Sequence, residues 1–416
     1  MNTYLDGKVI KEMRYIRHVH DREVKKGHVA FVEPNYNRAL FAIGYSTGNI
    51  DLIKPWITAN DRSISDGAYE FEQTLKCEPM IGAAWNEYHQ KLISWGETGI
   101  YKVWAVDDKG LWHSIVNMNI HDSISMICWG KYDYGYAILS PRGFIRVMSF
   151  PNKVEWIKQL PKRATCCDST LEAHLIVGVE GGEVIVFDED GNELKNIKIP
   201  CPIDPQLEYF DPETHTMQTR ELSKPPEIIS IQYFAFVPKE HKPLDVPYTA
   251  DNVPAPPKGP PRPLIIVYSN GKIQFLKNTE DTEPVLYKPD RAYNVKATLA
   301  KWSASGKSVV MVWKDDRWNV GQQMRGLFVS NEGGELGVFH FAPSNEIYGI
   351  SWHATERYLQ LAMDNKFQYG RIDYSFEDDE LDDSVDDKNL LLVEGYQKHV
   401  KKTGVLRKAW GLLTNT

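Results

Sequence analysis

Three short stretches of the 416-residue chain carry residue types that do chemistry in other proteins. Gly44-Tyr45-Ser46-Thr47-Gly48 has the spacing of a serine nucleophile elbow. Such an elbow needs a strand before the serine and a helix after it. The following run, NIDLIKPW, alternates like a strand, so the serine is assigned to a hairpin turn. Ser305-Gly306-Lys307-Ser308 has the end of a phosphate-cradling loop, yet Lys301 stands where the first glycine belongs, and a strand follows. Asp188-Glu189-Asp190-Gly191 begins like a calcium loop but lacks the downstream glutamate and is flanked by strands, so it too reads as a turn. Of the 12 histidines only His18 and His20 are close; they share one face of an extended strand, with no third ligand in sight. The five cysteines, 77, 128, 166, 167 and 201, form no CxxC and no metal spacing. The expectation is therefore no catalytic residue, no cofactor site and no metal site.

The elements that hold these turns repeat along the chain. A short apolar strand ends in Trp or a substitute; a second strand follows, then a four-residue turn ending in Gly, then a third strand. MIGAAWNEYHQKLISWGETGIYKVW, from Met80 to Trp104, is the clearest copy. Trp85, Trp129, Trp302 and Trp352 occupy the strand-end place, and Cys167 replaces Trp in the copy from Ala164 to Phe187. Each indole is expected to cover the apolar layer between neighbouring sheets. Gly48, Gly99, Gly143, Gly182 and Gly271 end the turns, where φ is positive in a hairpin of right-twisted strands. Fourth strands are expected in several copies, LWHSIVNM at Leu111 and NELKNIKI at Asn192 among them. The glycine-to-glycine steps of 51, 44 and 39 residues match propeller-blade spacing. The reading is an all-β, seven-bladed β-propeller over residues 1–376, closed by a strand at Lys8 to Val19, with a proline-rich insert at about 237–263. An acidic linker at 377–387 and a basic, apolar tail at 388–416, with helical spacing around Trp410, complete the chain. Pro257 to Arg262 fits a PxxPxR ligand but reads as part of a solvated spacer.

Composition agrees with a globular β protein: 42% apolar, 25% charged and 12% aromatic. The net charge is −8, and the run EDDELDDSVDD from Glu377 to Asp387 supplies eight acids; without it 48 bases face 48 acids. A charge-balanced body argues against nucleic acid as a partner, which calls for a basic face. No run approaches ~18 apolar residues and the N-terminus has no signal-peptide core, so neither membrane insertion nor secretion is expected. Thiols without a disulfide pattern place the chain in a reducing, cytoplasmic setting.

Trp85-Asn86-Glu87, Gln90-Lys91-Leu92, Ile100 to Trp104 and Trp112 resemble the WD-repeat subunits of intraflagellar transport complex A. GFIRVMSF, GGEVIVFDEDGNEL, PLIIVYSNGKIQFLKN and the opening MNTYLDGKVI resemble the same family in the same order, over roughly residues 1–375. Tubby-like WD-repeat proteins share much of the pattern. The resemblance implies a divergent WD40 propeller acting as a non-catalytic scaffold at the cilium, flagellum or basal body. Its partners would be other WD-repeat or solenoid subunits of the transport complex. Family members continue into a second propeller and a helical solenoid, so the chain is read as a subunit or shortened paralogue. A tubby-like adaptor and a propeller enzyme with a central-channel site are the alternatives. Trp104 is followed by Ala105 where a regular repeat has Asp, and no binding residue is carried over.

Overall fold

A computed structural model describes residues 4–376 and 390–392. It excludes 6–7, 24–26, 36–39, 56–68, 87–89, 131–134, 203–205, 212, 222–224, 236–259, 290–294, 316–322, 341–346, 353–357 and 364–365. Most of the insert, the acidic run, the PxxPxR stretch up to Gly259 and the tail beyond 392 lie outside the described residues, as do the side chains of His18 and His20.

The described residues form strands and no helix. After β1 (Tyr4–Leu5) and β2 (Lys8–Glu23), a first blade holds β3 (Val29–Asn35), β4 (Leu40–Tyr45), β5 (Ile50–Pro55) and β6 (Tyr69–Leu75). The second holds β7 (Gly82–Asn86), β8 (Lys91–Trp95), β9 (Ile100–Val106) and β10 (Trp112–Asn119). The third holds β11 (Met126–Trp129), β12 (Tyr136–Leu139), β13 (Phe144–Ser149) and β14 (Lys153–Gln159). A short sheet follows with β15 (Ala164–Ser169), β16 (Leu175–Val179) and β17 (Glu183–Phe187). A separate hairpin, β18 (Gln206–Asp211) and β19 (Thr216–Glu221), leads to the fourth blade: β20 (Ile228–Tyr233), β21 (Leu264–Tyr268), β22 (Ile273–Leu276) and β23 (Val285–Tyr287). The fifth has β24 (Val295–Trp302), β25 (Ser308–Asp315), β26 (Gln323–Ser330) and β27 (Glu335–His340). The closing blade has β28 (Ile347–Trp352), β29 (Tyr358–Met363) and β30 (Lys366–Phe376), and β2 pairs with β30 at its outer edge. Within the tail, β31 (Leu390–Leu392) also pairs with β2.

The inner strands touch in the cyclic order β3, β7, β11, β15, β20, β24, β28 and back to β3. Each sheet is apolar on both faces because it lies between two others, so the core is a series of layers. One layer joins Ile265 and Phe275 of the fourth blade to Met311 and Leu327 of the fifth. Another joins Leu40 and Leu52 of the first to Leu92 and Trp104 of the second. The strand expected over Lys8 to Val19 runs to Glu23, with Ile10 opposite Phe376 and Glu23 opposite Lys366.

The expectation of seven blades is corrected. Among the described residues, six sheets have four strands or more, and the sheet of β15–β17 has three. NELKNIKI starts towards the edge of β17 and then leaves it. Asp188 N donates to Asn192 O at 3.0 Å and Leu194 N to Val186 O at 2.8 Å, around the Phe187–Glu193 bridge. Ile197 N then turns back onto Leu194 O at 3.0 Å. Pro200 and Pro202 have no N–H to offer a ladder. Their carbonyls are taken by Gln274 Nε2 at 2.8 Å and Lys272 Nζ at 3.2 Å, which draw the segment onto the fourth blade. The β18–β19 hairpin was not foreseen.

Candidate functional site

The inner strands carry the strand-end tryptophans, and the structure gives each indole a polar partner as well as an apolar bed. Trp85 Nε1 donates to Glu33 O at 3.0 Å, Trp129 Nε1 to Ala84 O at 3.0 Å, Trp302 Nε1 to Gln232 O at 3.4 Å and Trp352 Nε1 to Lys301 O at 3.3 Å. Every acceptor lies on the inner strand of the preceding blade. Ala84 and Lys301 stand one residue before the tryptophans of their own strands. Trp129, Trp302 and Trp352 are buried and Trp85 is partly so. The recurrence of Trp pointed to packing; the repeated indole bond was not read from the sequence, although a buried indole N–H ordinarily finds a partner.

The other junctions are built differently. At the edge of the short sheet Cys167 takes the Trp place and its Sγ lies 3.1 Å from Cys128 Sγ on β11, both thiols being free. Ser169 Oγ donates to Trp129 O at 2.9 Å across the same junction. On the other side of β15, buried Asp168 accepts from Tyr233 N at 2.6 Å and from Ser169 N at 2.9 Å. Lys301 Nζ meets Glu33 Oε1 at 2.6 Å, tying β24 to β3 past β28. None of these pairings has a sequence spacing that announces it.

The turn glycines sit at positive φ: Gly48 at 92°, Gly99 at 91°, Gly143 at 83°, Gly182 at 75° and Gly271 at 79°. At Gly99 a Cβ would stand 2.3 Å from Asp122 O, so both the backbone and the neighbouring loop require glycine.

The stretches with chemical residue types are hairpin turns. Ser46 Oγ accepts from His28 N at 3.1 Å, and β5 follows the turn. Ser303 N donates to Ser308 O at 2.8 Å and Gly306 N to Ser303 O at 3.0 Å, closing the turn into β25. Asp188 accepts from Asn192 N at 2.6 Å, and this bond holds its carboxyl below the usual range. Burial pushes the Cys166 thiol up to about 12 and raises Cys167 well above its ordinary value, so both stay protonated near neutrality. A thiol must ionise to act as a nucleophile. Among the described residues no three His, Cys, Asp or Glu side chains converge as metal ligands. No helix among them is long and apolar enough to cross a membrane.

No protein-family profile matches the chain. WD repeat-containing protein 35 of Rattus norvegicus is 23% identical over 297 residues, covering 69% of this chain and 22% of that protein. The Homo sapiens protein of the same name is 23% identical over 300 residues, covering 69% and 21%. The chain thus spans about a fifth of the length of the curated relatives it matches. Among solved structures, the Cps50 (Swd1) β-propeller domain of Myceliophteria thermophila superposes with a TM-score of 0.55 at 12% identity, over 86% of this chain and 100% of that one. Cyclic sheets, strand-end indoles and the superposition together make this chain a β-propeller, similar in sequence over 69% of its length to a WD-repeat protein.

Proposed function

We propose that the chain is a non-catalytic scaffold that binds other proteins, as a subunit or shortened paralogue of a subunit of intraflagellar transport complex A. The observation that carries this reading is the alignment of 69% of the chain with WD repeat-containing protein 35. Its partners are then other WD-repeat or solenoid subunits, and its place is the cytoplasm at the cilium and basal body. The three-stranded sheet keeps the ring continuous, since β15 stands between β11 and β20 in the cycle of inner strands. On this reading Trp85, Trp129, Trp302 and Trp352 lock the blades together and the turn glycines shape them, giving a rigid platform. The acidic run at 377–387 and the basic, apolar tail modulate binding from outside it. Committed hydroxyls and protonated thiols favour binding over turnover.

The test is affinity purification of the tagged full chain from ciliated cells, with mass spectrometry of what co-purifies at two salt concentrations. Transport-complex subunits should be recovered, and in larger amount at low salt if the exposed acids contribute. A folded, monodisperse chain that recovers none of them at either salt would sink the ciliary reading.

A further inference from the structure

Every blade ends on an outer strand, but in the short sheet the edge lies one strand further in. There β17 borders a groove of about 670 Å³, walled by the third blade on one side and by the segment Glu193 to Cys201 on the other. Within a strand, successive residues aim their N–H and C=O groups at opposite edges. Val186 O accepts from Leu194 N on the outer side, so Val184, two residues away, also presents its main-chain groups outwards. No backbone partner meets Val184 on that side among the described residues. Leu160, Val184 and Ile197 give the groove apolar walls.

The charges at its rim are of one sign in excess. Lys158 is anchored, donating to Gly191 O and lying 5.1 Å from the centre of the Phe187 ring. Lys195 and Lys198 are exposed and pair with no acid among the described residues. Glu183 is matched by Lys162 at 2.7 Å, which leaves Glu193 as the one unmatched acid lining the groove. The lining thus carries Lys158, Lys195 and Lys198 against Glu183 and Glu193, an excess of one positive charge.

We propose that this groove binds an extended, acidic segment of a partner protein, which adds to β17 as the strand the short sheet lacks. Main-chain bonds to Val184 hold the segment, its apolar side chains meet Leu160 on the third-blade side, and its carboxylates meet Lys195 and Lys198 on the other. Strand addition of this kind takes affinity from the backbone and specificity from alternate side chains. The free part of β17, Glu183 to Ile185, spans ~10 Å at ~3.3 Å per residue and accommodates about three residues. The proposal deepens the scaffold reading and rests on it. A titration with a defined peptide reads the groove itself, whichever complex the chain travels with.

The probe is a fluorescein-labelled, end-capped peptide, Ser-Val-Glu-Val-Asp-Val-Ser, titrated with the full chain. It should bind at micromolar concentration, and about tenfold more weakly when its alternate amides are N-methylated, because the edge bonds are then lost. Lys195→Glu with Lys198→Glu, both exposed, should leave the melting curve unchanged and weaken binding at least as much. Val184→Pro removes an outward N–H without touching the β16–β17 ladder, so it should abolish binding in a chain that still melts cooperatively. Equal affinity for the N-methylated peptide, or for a lysine-substituted one, would overturn the proposal. Tighter peptide binding by the full chain carrying Asp382→Asn, Asp383→Asn, Asp386→Asn and Asp387→Asn would place its own acidic run in the groove and overturn the partner assignment.

Discussion

Trp129 shows what one side chain contributes to a blade junction. It is 4% exposed, its ring meets Tyr136 edge-on at 5.5 Å, and its N–H reaches Ala84 O of the blade before. Trp129→Ala opens a void in a close-packed layer and should destabilise the chain by about 3–5 kcal/mol. Trp129→Phe keeps most of the apolar contact and leaves the Ala84 carbonyl without its donor, at about 1–3 kcal/mol. Guanidinium unfolding of both variants checks the order; an alanine variant as stable as the parent would remove the indole from the energetics of the junction. The cysteine that takes the Trp place tells the complementary story. Cys167 leaves room that Cys128 fills from the neighbouring sheet. Cys128 precedes Trp129 in sequence, and no spacing rule pairs residues 128 and 167, so this contact was not legible from the chain alone.

Between β20 and β21 the chain carries its proline-rich insert. The two strands are paired up to Tyr233 and Leu264, and Phe234 N donates to Pro263 O at 2.7 Å. The ends of the insert are therefore held together by the ladder, and loop-closure entropy changes slowly with length. Replacing residues 239–258 by a short glycine-serine turn should leave the melting temperature within a few degrees of the parent. A calorimetric scan checks this; loss of the cooperative transition would make the segment part of the blade. The strands themselves were legible where a short apolar run and a turn glycine agreed, as in β8 and β9 or β21 and β22. NELKNIKI misled because its apolar residues suggested an edge strand. Leu194 and Ile197 are three apart, a break in period two that marks where the segment turns off the sheet. The β18–β19 hairpin carries no tryptophan and no turn glycine, the two marks by which the blade strands were read.

The ring as a whole was legible as a repeat with a closing strand, and the inner strands follow one another round it in chain order. Its completeness was not legible, because pairing of an outer strand depends on the next blade competing for the same segment. The four indole bonds share one direction, each reaching back to the preceding blade. The closing ladder has a direction too. Ile10 faces Phe376 at one end and Glu23 faces Lys366 at the other, so the chain enters and leaves at the same end of one pair of strands. Tension between those two points loads the rungs singly, beginning at Ile10 and Phe376, and peels the ring open. The same ladder pulled from opposite ends shares its load and resists in shear. Optical-tweezer handles at Ile10 and Phe376 should thus open the ring at a lower force than handles at Glu23 and Phe376, with equal rupture forces arguing against closure by this ladder. A ring latched in this way is stiff against sideways crowding, and a tug on its two tethers releases it.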